Sequence, residues 1–166
     1  FLEEALAGRR RVLGPRHPET LNTLAELARL RGDQWRISDS ERLAREALEG
    51  RRSVLGDDDP ATLASLNDLG EALCYLNPPR LTEAEPLLTR ALQKRRELFG
   101  EDHPQSLQSL RALAQCLFLQ AGMVEAEACY RQAREGGAEP SATRTRTPCG
   151  RCGSSDSSCS GWAGPM

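Results

Sequence analysis

The sequence predicts an all-α fold, an α-solenoid of tandem antiparallel helix pairs, and three observations carry that prediction. The composition is helical: Leu and Ala dominate a 39% hydrophobic share, aromatics make up 4%, and β-branched residues are sparse. A ten-residue signature recurs as Ala5-Leu6-x-x-Arg9-Arg10-x-Val12-Leu13-Gly14, Ala47-Leu48-x-x-Arg51-Arg52-x-Val54-Leu55-Gly56 and Ala91-Leu92-x-x-Arg95-Arg96-x-Leu98-Phe99-Gly100, spaced by 42 and then 44 residues. Self-similarity at such a period marks stacked supersecondary units. Between the signatures Leu recurs in steps of three (Leu21, Leu24, Leu27; Leu63, Leu66, Leu69; Leu107, Leu110, Leu113), which is one apolar face of an amphipathic helix.

Each signature closes one helix and prepares the next. Gly14, Gly56 and Gly100 stand where a left-handed C-terminal cap is wanted, and Pro18, Pro60 and Pro104 open the following helix. His17, Asp59 and His103 are the expected N-caps, Asp59 the strongest because a carboxylate accepts well from free backbone N–H groups. The second helices of units one and two are expected to open at Ser38-Asp39-Ser40-Glu41 and Thr82-Glu83-Ala84-Glu85, both capping-box patterns. They should run for about 18 residues, roughly 27 Å. Turns at residues 31–37, at Asn77-Pro78-Pro79-Arg80 and at Gln120-Ala121-Gly122 join the two helices of each unit. Unit one carries Arg31 where the others have Leu73 and Leu117, and Ser40 where they have Ala84 and Ala126, so it is expected to be the loosest repeat.

The periodic region covers residues 1–135. Residues 136–166 hold six Gly, six Ser and three Pro with no Leu, Ile, Val, Phe or Tyr, a composition that cannot bury a core and is expected to be a disordered tail. A net charge of -2 from 22 basic and 24 acidic residues provides no overall field toward nucleic acid or an acidic membrane surface. No run of about 18 apolar residues occurs, and the opening Phe1-Leu2-Glu3-Glu4 lacks the order of a signal peptide, so a cytoplasmic location is expected. Beginning on Phe within a helical run, the chain reads as a stretch of a longer repeat array. Cys74, Cys116 and Cys129 fall among apolar helical residues and read as small buried hydrophobes. In the tail, Cys149-Gly150-Arg151-Cys152 has only Cys159 as a third ligand, short of the four that structural zinc requires.

A period near 42 fits several helical-repeat families, but the residue pattern is more specific. Leu66, Leu69-Gly70, Leu73, Glu83-Ala84, Leu88 and Ala91 in unit two, and Leu110, Leu113-Ala114, Leu117, Gly122, Glu125-Ala126, Tyr130 and Ala133 in unit three, resemble the tetratricopeptide (TPR) pattern. The long second helix and the connectors Leu13-Gly14-x-x-His17-Pro18 and Phe99-Gly100-x-x-His103-Pro104 resemble the kinesin-light-chain type of TPR.

That resemblance implies a concave groove lined by polar residues of each unit's first helix, lying off the Leu face. The lining would be Asn22, Ala25, Glu26 and Arg29; then Ala64, Asn67, Asp68 and Glu71; then Gln108, Arg111, Ala112 and Gln115. The same residues also fit an ordinary solvated helix face. By the resemblance Asn67 would hydrogen-bond the backbone of an extended peptide with both donor and acceptor. Glu26, Asp68 and Glu71 would repel an acidic terminus, which favours a neutral or mixed-charge ligand with an apolar anchor. The arginine pairs are expected to complement helix dipoles and to pair with neighbouring acids, with a basic stripe as the less favoured alternative. The expected function is a protein-protein interaction scaffold or adaptor; the alternative is a structural segment of a longer array. No phosphate loop, activated nucleophile or carboxylate pair has catalytic spacing, so no enzyme, cofactor, metal, nucleic-acid or membrane role is expected. Self-association through exposed end faces is.

Overall fold

The computed structural model describes residues 1–137, and the expected tail lies, from residue 138 onward, outside the described residues. Seven helices follow in order: α1 (Leu2–Val12), α2 (Pro18–Asp33), α3 (Ile37–Leu55), α4 (Pro60–Tyr75), α5 (Leu81–Phe99), α6 (Pro104–Leu119) and α7 (Met123–Gly137). Consecutive helices pack on each other, giving the predicted all-α solenoid of pairs α2/α3, α4/α5 and α6/α7, with α1 in the place of a second helix before α2. The first helices α2, α4 and α6 also pack on one another in succession, whereas α3 and α5 meet only through side chains, as in the Arg45–Glu83 ion pair at 2.8 Å. The first helices therefore form the inner layer and the second helices the outer, which gives the array its concave face.

The connectors show how local sequence sets this register. His17 and His103 each accept through Nδ1 from the N–H two residues on at 3.2 Å, and Asp59 accepts from Ala61 at 2.8 Å, while the proline that follows each loses no helical hydrogen bond. Gly14, Gly56 and Gly100 lie at φ +92°, +89° and +95°. For Gly56 and Gly100 ψ is 174° and 168°, so the cap is not the expected αL turn but the extended positive-φ region, which is open essentially to glycine alone. In two connectors a hydroxyl ties back the glycine carbonyl: Thr20 Oγ1 donates to Gly14 O at 2.9 Å and Ser106 Oγ to Gly100 O at 2.7 Å.

Two sequence-based expectations are corrected. The capping boxes do not form: α3 and α5 start at Ile37 and Leu81, so Ser38 and Thr82 already lie inside the first turn and no side chain caps either helix. Arg36 O and Arg80 O accept the first helical bonds from Ser40 N and Ala84 N at 3.0 Å. The entry to α5 is fixed instead by Leu81 packing on the core and by Arg80 N donating to Leu73 O at 3.0 Å. Nor is unit one the loosest. A continuous core runs from Leu6 in α1 to Cys116 in α6, and unit one belongs to it. Its Arg31 is held by Gln34 and Glu3 rather than forced between helices, and Ser40 is small enough to be buried. Unit three is looser: Ala112 and Cys116 join the main core, but Leu110 and Ala133 form a separate small cluster with Leu92 of α5, and Phe118, Leu119, Met123 and Val124 are exposed.

In unit two the packing of α5 on α4 leaves no room for a side chain at residue 70. A Cβ on Gly70 would stand 2.6 Å from Leu88, whereas the equivalent positions of units one and three are Ala28 and Ala114. The larger Leu88 occupies the space a side chain at residue 70 would need.

Candidate partner-binding groove

Three arginines fix how one unit meets the next, and so fix the inner face. Arg51 and Arg95, just before the last turns of α3 and α5, are 5% and 2% exposed. Arg51 Nη1 donates to Ala61 O at 2.9 Å and to Ser65 Oγ at 2.8 Å, and Nη2 donates to Asn22 Oδ1 at 2.9 Å. Arg95 Nη1 donates to Gln105 O at 3.0 Å and Ser109 Oγ at 2.7 Å. Arg9 makes the same reach from α1 to Glu19 O at 3.1 Å and to the Thr23 hydroxyl. Each arginine thus bonds a carbonyl ten residues on and a hydroxyl fourteen residues on. The expected dipole-and-acid role holds for the second arginines Arg10 and Arg52, which pair with Glu46 and Asp57. Arg9 combines both, pairing with Glu19 at 3.5 Å beside its clamp, whereas for Arg51 and Arg95 the clamp replaces the acid pairing.

Two adjoining cavities lie along the inner layer. One, of about 510 Å³, is bounded by Arg29, Gly32, Asp33, Trp35, Ile37, Ser40, Asp68, Glu71, Ala72, Tyr75 and Gln108. The other, of about 370 Å³, is bounded by Glu71, Cys74, Tyr75, Gln108, Arg111, Ala112, Gln115 and Tyr130. Glu71, Tyr75 and Gln108 belong to both, so the cavities form one groove crossing all three units. Where the cavities join, Tyr75 lies edge to face with Trp35 of the larger one, centroids 6.3 Å apart at 82°; in the smaller one Tyr130 Oη donates to Gln115 Oε1 at 2.8 Å.

The floor carries charge held partly out of water. Arg29 Nε donates to Asp68 at 3.1 Å, and Asn67 Nδ2 donates to Glu71 Oε1 at 2.8 Å. Burial pushes the Asp68 carboxyl above its ordinary range, opposed chiefly by Arg29. Burial also raises Glu71, opposed by the Asn67 amide and reinforced by the charge on Asp68. Beneath the floor, burial lowers the Arg51 and Arg95 guanidinium pKa, and the charge of Asp68 resists it.

Of the nine polar residues singled out in the sequence, Arg29, Asp68, Glu71, Gln108, Arg111 and Gln115 border the groove. Asn22 borders neither cavity and is engaged by Arg51, and Glu26 is exposed outside both. Asn67 is 0% exposed, so its amide does not face the groove: it braces Glu71, and its Oδ1 is buried without a donor. Sequence reasoning missed Trp35, Tyr75 and Tyr130, which occupy non-equivalent places in the three units. It also missed the arginine clamp, although Thr23, Ser65 and Ser109, each fourteen residues after the arginine, were a periodic signal for it.

Comparison with known proteins fits this geometry. Residues 1–19 and 20–61 match one tetratricopeptide-repeat family model and residues 80–137 match another. No curated protein matches the chain. Among solved structures it is similar to a Podosopora anserina protein described as a kinesin light chain with nearly identical TPR-like repeats, at 25% identity and TM-score 0.66, over 86% of this chain and 66% of that one. A point-substituted form of that protein gives the same identity and TM-score over 81% and 63%. BtubC (BKLC) from P. vanneervenii shares the fold at 21% identity and TM-score 0.72, over 95% and 62%. The chain therefore spans 62% to 66% of the length of these structures. With its connectors, clamped junctions and long second helices, the chain belongs to the tetratricopeptide-repeat family, in its kinesin-light-chain-like form.

Proposed function

We propose that the repeat region, residues 1–135, acts as a scaffold or adaptor that holds a segment of a partner protein in the concave groove. Tetratricopeptide repeats generally mediate protein-protein interaction, and the observation that supports groove binding here is the continuity of the two cavities across α2, α4 and α6. Arg29, Asp68, Glu71, Gln108, Arg111 and Gln115 are the proposed contacts, with Tyr75 at the centre. Asn22, Glu26 and Asn67 support or flank them. The test is site-specific photocrosslinking from residue 108, which borders both cavities, against residue 93 on α5, which is exposed and borders neither. A groove ligand gives an adduct from position 108 that is lost when Tyr75→Ala and Arg111→Ala are combined. Equal labelling from position 93, or adducts unaffected by the double variant, contradicts the reading.

A second reading, a structural segment within a longer array, is favoured by α1. Phe1 and Ala5 are exposed there, whereas their counterparts Leu43 and Ala47 in α3 are 4% and 0% exposed. That face matches the one α3 lays on α2, and another helix of the first type would cover it. Self-association would also use it, with a light-scattering mass that rises with concentration and stays monomeric in Ala5→Glu.

A further inference from the structure

We propose that the groove takes its partner segment through an arginine side chain, seated between the Trp35–Tyr75 aromatic pair and the carboxylates of Asp33 and Glu71. This rests on the groove being the binding surface and adds the chemistry of the ligand. The larger cavity is bordered by three carboxylates, Asp33, Asp68 and Glu71, and by one cation, Arg29. That cation is already paired with Asp68 at 3.1 Å. Asp33 and Glu71 have no ion-pair partner among the described residues, and Glu71 accepts only a neutral amide hydrogen, from Asn67. At this end the groove thus presents two carboxylates without an ion-pair partner, an exposed one on Asp33 and a half-buried one on Glu71, the latter offset only at longer range by Arg111 and Arg95, and at the half-buried one an incoming cation meets less screening than at the open surface.

The wall beside those carboxylates selects among cations. Trp35 is 79% exposed and Tyr75 47%, yet both border the cavity and lie edge to face. Trp35 also sits at φ +59°, a conformation unfavourable for a bulky side chain, so neither burial nor backbone preference explains its place. A guanidinium is planar, weakly hydrated, able to stack on an aromatic face and to bond carboxylates in a fork, properties an ammonium does not share. The adjoining cavity, bordered by Gln108, Arg111, Gln115 and Tyr130, then receives a polar neighbour on the α6 side. An acidic segment would meet Asp33, Asp68 and Glu71 with like charge.

The experiment is selection of phage-displayed random dodecapeptides on the full chain, followed by fluorescence anisotropy of the selected peptides. Peptides that require the groove, as judged by loss of binding in the Tyr75→Ala/Arg111→Ala variant, are expected to share an arginine. Replacing it with norleucine should weaken binding at least tenfold, and with lysine severalfold. Trp35→Ala and Asp33→Asn/Glu71→Gln should each weaken the arginine peptide by a comparable factor while leaving the norleucine peptide unchanged, with helical circular dichroism confirming the fold. Asp33→Lys/Glu71→Lys should shift selection toward glutamate. Groove-dependent peptides that lack arginine, or whose arginine is replaceable without loss, overturn this inference and leave the groove reading standing. If no selected peptide depends on the groove, both readings fall.

Discussion

Units two and three are built to the same pattern, and α4 and α6 have the same length of 16 residues, yet their interiors differ. Leu63, Leu66, Leu69 and Leu73 in α4 are all at most 2% exposed, while Leu113 and Leu117 in α6 are half-buried and Phe118 and Leu119 lie open. Unit two is covered on both sides, by α3 and by α6; unit three has α5 on one side only among the described residues. At the places of Leu92 and Arg95, α7 carries Arg134 and Gly137, so it has neither the leucine nor the donor that a clamp onto a following unit uses. Burial in this array is a property of junctions more than of units, as nearest-neighbour stacking requires.

The largest test of that contrast is one truncation made twice. Leu73→Ala should cost about 3–4 kcal/mol, because a fully buried leucine leaves a cavity, and Leu117→Ala about 1 kcal/mol, because its site is already partly wet; urea denaturation measures both. Equal losses would mean that unit three is packed as tightly as unit two. The next effect is at the clamps. Arg51→Ala strands Ser65, Asn22 and the Ala61 carbonyl and should cost about 2–3 kcal/mol, whereas Arg9→Ala, on a half-exposed side chain, should cost under about 1 kcal/mol.

Third is Gly70→Ala, expected to cost about 1–2 kcal/mol by overpacking Leu88 although both neighbouring units carry alanine there. A double-mutant cycle with Leu88→Ala should show strong positive coupling; additive losses would place the strain elsewhere. The smallest effect concerns Glu71. A carboxyl raised by burial binds its proton more tightly folded than unfolded, so it favours the folded state as pH falls toward its ordinary value of 4.5 and weakens it as pH rises through the window just above. Glu71→Gln should flatten that slope and stabilise the protein slightly at neutral pH, seen as a raised urea midpoint.

The parts of the fold that repeat were readable from the sequence. The glycine-to-proline connectors fixed every junction between units, because a positive φ admits little else and the caps at His17, Asp59 and His103 follow directly. The starts of α3 and α5 were misplaced by the capping-box pattern, since burial of Leu81 and a bond to the Leu73 carbonyl outweigh a side-chain cap. Arg51 and Arg95 were read as surface cations because charge is normally solvated; their burial depends on acceptors supplied by the next helix. In the groove, Asp68 and Glu71 followed from helical phase, but Asn67, one residue before Asp68, turns beneath the surface. Trp35 and Tyr75 were invisible to self-alignment because it finds what recurs, and these two aromatics do not.

The clamp also bears on how such an array can grow. Arginine, carbonyl and hydroxyl keep the same separation at all three junctions, Arg9 to Thr23, Arg51 to Ser65 and Arg95 to Ser109, even though unit two is longer by its Pro-Pro turn. A duplicated or transplanted cassette cut at any point of the period therefore brings one donor and one matching acceptor, and its new boundaries are complementary without redesign. Length becomes an inheritable variable separate from junction chemistry, and residues off the clamp, such as those at 35, 75 and 130, are free to diverge without disturbing it.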